Sequence, residues 1–239
     1  MQNYKMMQWT DENIKKFWNY ESNFSENYFT YYAGGHIIKK VSSYIINTRM
    51  VLDFGCGAGF LISHLLKKNW LVYGLDFSED SITKVNQRFK NFKNFKGAFS
   101  YTHFLDSNDK FDLIFAIEVI EHLDDDKLGS AIKFMKNHLT SKGVIIFTTP
   151  NREDLEKSYI YCPESDVVFH RWQHVRSWSE GELAEYLKKE FNEVMTFTTD
   201  FNEKPNLLKL IKHIVKTILK KQINNKNPHL VAIVKQNLS

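Results

Sequence analysis

Residues 50–69 read MVLDFGCGAGFLISHLLKKN. An apolar run closes on Asp53 and Phe54, glycines follow at 55, 57 and 59, and apolar residues then recur at helical spacing. The pattern predicts a strand, a tight turn and a helix. Glycines in such a turn let the backbone bend sharply and come close to a neighbour that leaves no room for a side chain. In an open parallel sheet, ligands settle at the carboxyl ends of the strands, beside the first turn of this kind. The three glycines are therefore expected to face a bound ligand.

Working outward, strand-like and helix-like segments alternate. Residues 71–75 form a second strand that ends at Asp76. Residues 78–89 form a helix, with Ser78 as N-cap and Glu79 and Asp80 in the first turn. Residues 95–99 are a weaker strand. Residues 111–119, FDLIFAIEV, are apolar almost throughout, as a strand covered on both faces should be. A helix over 127–139 and a strand over 143–149, closed by Pro150 and Asn151, complete the series. This alternation predicts an α/β fold with a mostly parallel sheet and helices on both faces.

Beyond it the pattern loosens. Residues 152–177 read as a long loop carrying FHRWQHVRSWS. Ser179 and Glu182 form a capping box that opens a helix to residue 191. Strands over 194–199 and 230–235 flank a basic amphipathic helix at 207–223, whose apolar stripe is expected to face a core. A single domain over 1–239 results. It comprises an aromatic-rich helical cap (1–45), a cofactor-binding core (46–150), and an acceptor-side loop, helix and C-terminal strands (151–239).

A chain of 239 residues can bury one substantial core. Its 32 basic and 28 acidic residues give a net charge of +4, which permits an anionic partner without demanding nucleic acid. Two cysteines, Cys56 and Cys162, supply neither a disulfide framework nor a zinc spacing. No apolar run reaches the ~20 residues of a membrane span, and the N-terminus lacks an apolar signal core. The expectation is a reduced, cytoplasmic enzyme, monomeric or homodimeric, without a membrane span.

Two acids sharpen the ligand. Asp53, just before the glycines, would repel a pyrophosphate and suits an ammonium group. Asp76, at the end of the next strand, is placed to accept hydrogen bonds from a ribose diol. S-adenosylmethionine carries both groups. In this order, VLDFGCGAGFL, YGLDFSEDSI, FDLIFAIEVIEHL and LTSKGVIIFTTPN resemble class I S-adenosylmethionine-dependent methyltransferases over residues 50–150. The resemblance implies a Rossmann-like sheet of seven strands. It implies that Asp53 and the turn Gly55, Cys56, Gly57 and Gly59 line the methionine side, that Asp76 holds the ribose and that Phe77 lies beside the adenine. Glu118 and Val119 would lie near the sulfonium, and S-adenosylhomocysteine would be the product.

Methyl transfer is an in-line displacement that holds acceptor and methyl carbon ~3 Å apart. A hydroxyl acceptor must also lose its proton. His122 can serve as base, since imidazole titrates near working pH; alternatively, Glu121 and His122 orient the loop and cap the next helix. His174 and His170, with Arg171 and Arg176, lie in a loop expected to shape the acceptor pocket. Asn151 is expected at its mouth, and Tyr28, Tyr31 and Tyr32 as a lid that excludes water. His122, His174 and Glu121 are the catalytic candidates. With Arg152, the loop arginines suit bidentate contact with phosphate. With these residues, the resemblance to small-molecule and glycan-pathway methyltransferases implies O-methylation of a small polar or anionic metabolite of sugar or phosphate type, as in surface polysaccharide biosynthesis.

Two other readings stand beside it. The run Glu118-x-x-Glu121-His122, the TPN turn, and His174 ahead of Trp178 are similar to small-RNA 2′-O-methyltransferases, which implies metal-dependent RNA methylation. Glu-x-x-Glu-His is also similar to quinone O-methyltransferases. Two carboxylates and two imidazoles can hold a divalent ion against a diol, but the expectation carried forward has no metal and no nucleic acid partner. The remaining alternative is a non-catalytic module that binds cofactor or a partner.

Overall fold

The computed structural model describes residues 4–45, 47–105, 107–201 and 227–236. The elements run β1 (Lys5–Met6), α1 (Asp11–Glu21), α2 (Phe29–Lys40), β2 (Met50–Phe54), α3 (Phe60–Leu65), β3 (Leu71–Leu75), α4 (Glu79–Phe89), β4 (Phe95–Phe99) and α5 (Tyr101–Leu105). They continue β5 (Phe111–Ile117), α6 (Asp125–Asn137), β6 (Leu139–Pro150), β7 (Tyr159–Cys162), β8 (Val167–His170), α7 (Glu180–Lys188), β9 (Glu193–Thr199) and β10 (His229–Lys235).

The main sheet has seven strands in the order β4-β3-β2-β5-β6-β10-β9, and β10 alone runs against the rest. Side-chain alternation divides β5 between two cores. Leu113 and Phe115 pack with Ile37 of α2, Leu61 of α3 and Val85 of α4 on one face. Ile114 and Ala116 pack with Ile132 of α6 and Leu183 and Leu187 of α7 on the other. A strand apolar on both sides needs helices on both sides, and the chain supplies them. The doubly covered, mostly parallel sheet of seven strands is thus as the sequence predicts.

Capping matches the sequence too. The Ser78 side chain accepts the Ser81 N–H, and Ser179 and Glu182 form a reciprocal capping box. A short helix, α5, was not foreseen. Residues 152–177 are not a plain loop either: β7 and β8 form an antiparallel hairpin, and β1 pairs in parallel with β8 to make a separate three-stranded sheet. The amphipathic helix expected over 207–223 lies outside the described residues. Among the described residues, no helix is long and apolar enough to cross a membrane.

Register brings the chemistry to one crest. Asp53 pairs with Gly74 of β3 and Phe115 of β5, so the carboxyl ends of β2, β3 and β5 finish side by side. Asp76 follows β3, Glu118 follows β5 and Asn151 follows β6. The N-terminal cap is tied to this crest through α4. Ser78 Oγ donates to Asn19 Oδ1 at 2.7 Å, and Lys84 Nζ donates to Ser22 Oγ at 2.9 Å.

Candidate active site

The glycine turn is pinned before any ligand arrives. The N–H groups of Gly55 and Cys56 both donate to the Leu75 carbonyl, at 2.8 and 2.9 Å. The Gly57 N–H donates to Asp76 Oδ2 at 2.7 Å, and the Ser78 N–H to Oδ1 at 2.8 Å. Asp76 is therefore fixed in orientation, and each oxygen keeps a lone pair for a further donor such as a ribose hydroxyl. Asp53 is buried behind the turn, and its Oδ2 meets no hydrogen-bond partner. Burial, and then the nearby Asp76, push the Asp53 carboxyl up to about 8. A buried acid in that state is readied for a cationic partner.

All three glycines of the turn have φ in the left-handed region, +77° at Gly55, +49° at Gly57 and +75° at Gly59. A Cβ on Gly55 would stand 2.5 Å from Val119 Cγ2, and one on Gly57 the same distance from the Tyr28 ring. The backbone is thus closely covered by this chain's own side chains, which the sequence alone did not suggest. Gly55, Cys56 and Gly57 line the cavity beside the turn. Gly59 instead lies against Val85 and Phe89 of α4. It serves helix packing, and the role of lining the cavity falls to the first two glycines.

That cavity encloses about 770 Å³ and runs from Asp76 and Phe77 at one end to His122 and His174 at the other. Phe77 is about half exposed there, with an open ring face. At the other end Glu118 adopts φ +53°, uncommon for a side-chain-bearing residue. Its N–H donates to Thr148 O at 3.0 Å, and Thr148 Oγ1 donates to its Oε1 at 2.7 Å. Strain of this kind persists where the surroundings fix it, often at functional sites. Burial pushes the Glu118 carboxyl up to about 7, against the pull of the Thr148 hydrogen bond.

Behind it, Glu121 is 1% exposed, and neither of its oxygens meets a hydrogen-bond partner of good geometry. Burial and the neighbouring Glu118 drive its carboxyl well upward. His122 Nε2 lies 4.0 Å from Glu121 Oε1, and burial followed by the adjacent His174 lowers the His122 imidazole to about 3. The rings of His122 and His174 meet edge-on at 4.8 Å, and the Trp18 ring stands edge-on to His122 at 5.0 Å. Trp18 Nε1–H donates to Gln173 Oε1, and Gln173 Nε2–H donates to the His122 carbonyl.

Glu153 joins this group unforeseen. Its Oε2 lies 2.5 Å from His174 Nδ1, and its Oε1 3.3 Å from His170 Nε2. Burial raises the Glu153 carboxyl, but hydrogen bonds to His170 and His174 outweigh it and bring the group to about 2. Gln173 and Thr148 also escaped the sequence reading. The one available signal for Glu153 was an acid three residues beyond Pro150, at the end of a strand on the crest.

The other candidates divide. Tyr28 and Tyr32 line the cavity, whereas Tyr31 turns outward and packs edge-on to Phe60. His170 is buried behind Glu153 and does not line the cavity. Asn151 is occupied at the end of β6, where its N–H donates to Pro228 O and its Nδ2 to Asn227 O. Arg171 lies over Trp172 in a separate shallow groove, and Arg176 Nη2 pairs with Asp125 at 2.9 Å. Neither arginine lines the main cavity. Carboxylates do: Glu21, Glu26, Asp76, Glu118, Asp126 and Glu153, against the single cation Lys127, which already pairs with Asp124 and Asp11. Such a cavity suits a cationic ligand and disfavours a phosphate or a nucleic acid strand. Among the described residues, Glu121, His122 and His174 bring potential ligand atoms within 4.8 Å of one another, as do Glu153, His170 and His174.

A family profile described as a methyltransferase domain matches residues 24–192. The chain is 31% identical over 144 residues to a ubiquinone biosynthesis O-methyltransferase of Bradyrhizobium diazoefficiens, covering 57% of this chain and 55% of that one. It is 29% identical over 128 residues to the Rickettsia canadensis protein of the same name, covering 52% of each. It thus spans about half the length of the curated relatives it matches. In fold it resembles a S-adenosylmethionine-dependent methyltransferase of Clostridium acetobutylicum, with a TM-score of 0.62 and 17% identity over 92% of this chain and 96% of that one.

Proposed function

The chain belongs to the class I S-adenosylmethionine-dependent methyltransferases, and from that premise we propose that it O-methylates a small, polar, hydroxyl-bearing molecule. The observation that carries this reading is one continuous cavity with Asp76 at one end and the His122–His174 pair at the other. The cofactor's ribose would bind the fixed Asp76 carboxylate, its ammonium would face Asp53, and its adenine would lie against Phe77. The acceptor would then sit beside His122 and His174, under Tyr28 and Tyr32. The bound cofactor would supply the methyl group and leave as S-adenosylhomocysteine, and His174 would take the acceptor's proton. The names of the curated relatives support transfer to oxygen. The carboxylate-rich lining favours an uncharged, sugar-type acceptor over a phosphorylated one.

The test is release of S-adenosylhomocysteine on mixing chain, cofactor and a panel of small hydroxylated compounds, with neutral and phosphorylated members compared. Turnover confined to neutral acceptors is expected. Cofactor binding without turnover on any acceptor would instead favour the non-catalytic module.

A second reading is favoured by the unpartnered, fully buried carboxylate of Glu121. Glu121, His122 and His174, whose potential ligand atoms lie within 4.8 Å of one another, fit a divalent cation, with Glu118 as a further acid in the same run. When bound, such a cation would polarise an acceptor hydroxyl. Activity that survives exhaustive chelation would exclude this variant and leave the first reading in place.

A further inference from the structure

We propose that Glu153 is a positioning residue. With His170 behind it, it holds His174 as the tautomer protonated at Nδ1, so that the Nε2 lone pair is presented to the acceptor end of the cavity. The proposal rests on the reading that His174 serves methyl transfer.

His170 is 2% exposed. Its Nδ1 receives two backbone donors, the Trp172 N–H at 3.2 Å and the His174 N–H at 3.1 Å. A nitrogen that accepts two N–H groups cannot carry a proton of its own. The single proton of neutral His170 must therefore sit on Nε2. That nitrogen lies 3.3 Å from Glu153 Oε1, outside hydrogen-bond geometry, and no other polar atom claims it. A neutral His170 can therefore only donate from Nε2, the carboxylate it faces is that of Glu153, and no lone pair is left for a donor or a cation.

Glu153 passes the constraint on. With Oε1 facing His170, its Oε2 faces His174 Nδ1. An ionised carboxylate only accepts, so a neutral His174 places its proton on Nδ1 and keeps its lone pair on Nε2. The His170 and His174 rings stack at 4.5 Å with an interplanar angle of 18°, which opposes a ring flip that would exchange the two nitrogens. A carboxylate that fixes an imidazole's tautomer and orientation readies its far nitrogen to take a proton or a cation. Three residues separated by 17 and 21 positions of sequence thereby act as one unit.

Imidazole nitrogen NMR on histidine-labelled full chain tests this directly. The wild-type spectrum is expected to show both His174 and His170 as single neutral tautomers, His174 protonated at Nδ1 and His170 at Nε2. If His174 is protonated at Nε2 in the wild type, the proposal is overturned whatever the activity. In Glu153→Ala, His174 should become a tautomer mixture, and kcat should fall about 10–100-fold, with little change in S-adenosylhomocysteine affinity. In Glu153→Gln, whose amide oxygen still accepts from Nδ1–H, the tautomer and much of kcat should return. An unchanged His174 spectrum in Glu153→Ala would refute the positioning role. If instead the spectrum changes as expected but His174→Gln leaves turnover intact, the reading of His174 as a reacting group fails and the positioning stands.

Discussion

The Tyr28 ring lies directly on Gly57, so close that a Cβ on the glycine would stand 2.5 Å from the ring edge. The residue most often associated with a phosphate or cofactor turn is here also the seat of an aromatic from the N-terminal cap. Gly57→Ala should therefore be penalised twice, by the φ of +49° and by the displaced ring. The dihedral alone costs about 1–2 kcal/mol. For a chain of this size each kcal/mol lowers Tm by about 2–4 °C. Adding Tyr28→Ala should relieve the steric part and leave the dihedral part. Thermal melts of the single and double variants check this, and equal destabilisation in both would show that the contact carries no energy.

Asp53 predicts how cofactor binding responds to pH. Its folded-state carboxyl sits at about 8, against an unfolded value of 3.8. The stability it contributes is present below the unfolded value and is lost as pH rises from about 4 to about 8. An ammonium partner would bring the group down and ionise it, so binding near neutral pH should release up to one proton. Calorimetry in buffers of differing ionisation enthalpy should detect that release, with affinity rising toward pH 8. Asp53→Asn should abolish the release, weaken cofactor binding, and stabilise the ligand-free chain above pH 8.

Glu121 separates the two readings of the acceptor end. Replacing its unpartnered carboxylate by Gln removes a buried ionisable group and should raise the Tm of the ligand-free chain. If a divalent cation belongs there, manganese should raise the Tm of the wild type and leave Glu121→Gln unmoved. No shift in the wild type at millimolar manganese would exclude the cation.

Arg176 and Arg171 should prove dispensable for the acceptor. Arg176 is held by the exposed Asp125 and Arg171 lies over Trp172, both away from the cavity. Arg176→Ala should leave the acceptor KM nearly unchanged and cost at most about 1 kcal/mol, as expected for a pair with one exposed partner. A large rise in KM would restore the anionic acceptor.

Legibility in the sequence followed the range of the forces involved. Strands β2 and β3 were bounded correctly because burial inside the sheet writes a nearly continuous apolar run. The caps at Ser78 and Ser179 were legible because their partners lie three residues away. The pairing of β1 with β8 was not, since two residues of strand find partners more than 160 positions on. Arg176 was misassigned for a similar reason: an acid 51 residues earlier claims it. Asp76 could be set on the crest because it follows a strand whose register is fixed, whereas Glu153 gains meaning only when the chain folds its two histidines back onto it.

Trp18 gives the family boundary at residue 24 an unexpected practical meaning. The indole that backs His122 and bonds Gln173 lies ahead of that boundary, as does the strand that completes the small sheet. A recombinant fragment trimmed to the shared domain would keep Asp53 and Asp76 on the crest and lose one wall of the cavity beside His122. Such a fragment should still bind the nucleoside while transferring its methyl group poorly.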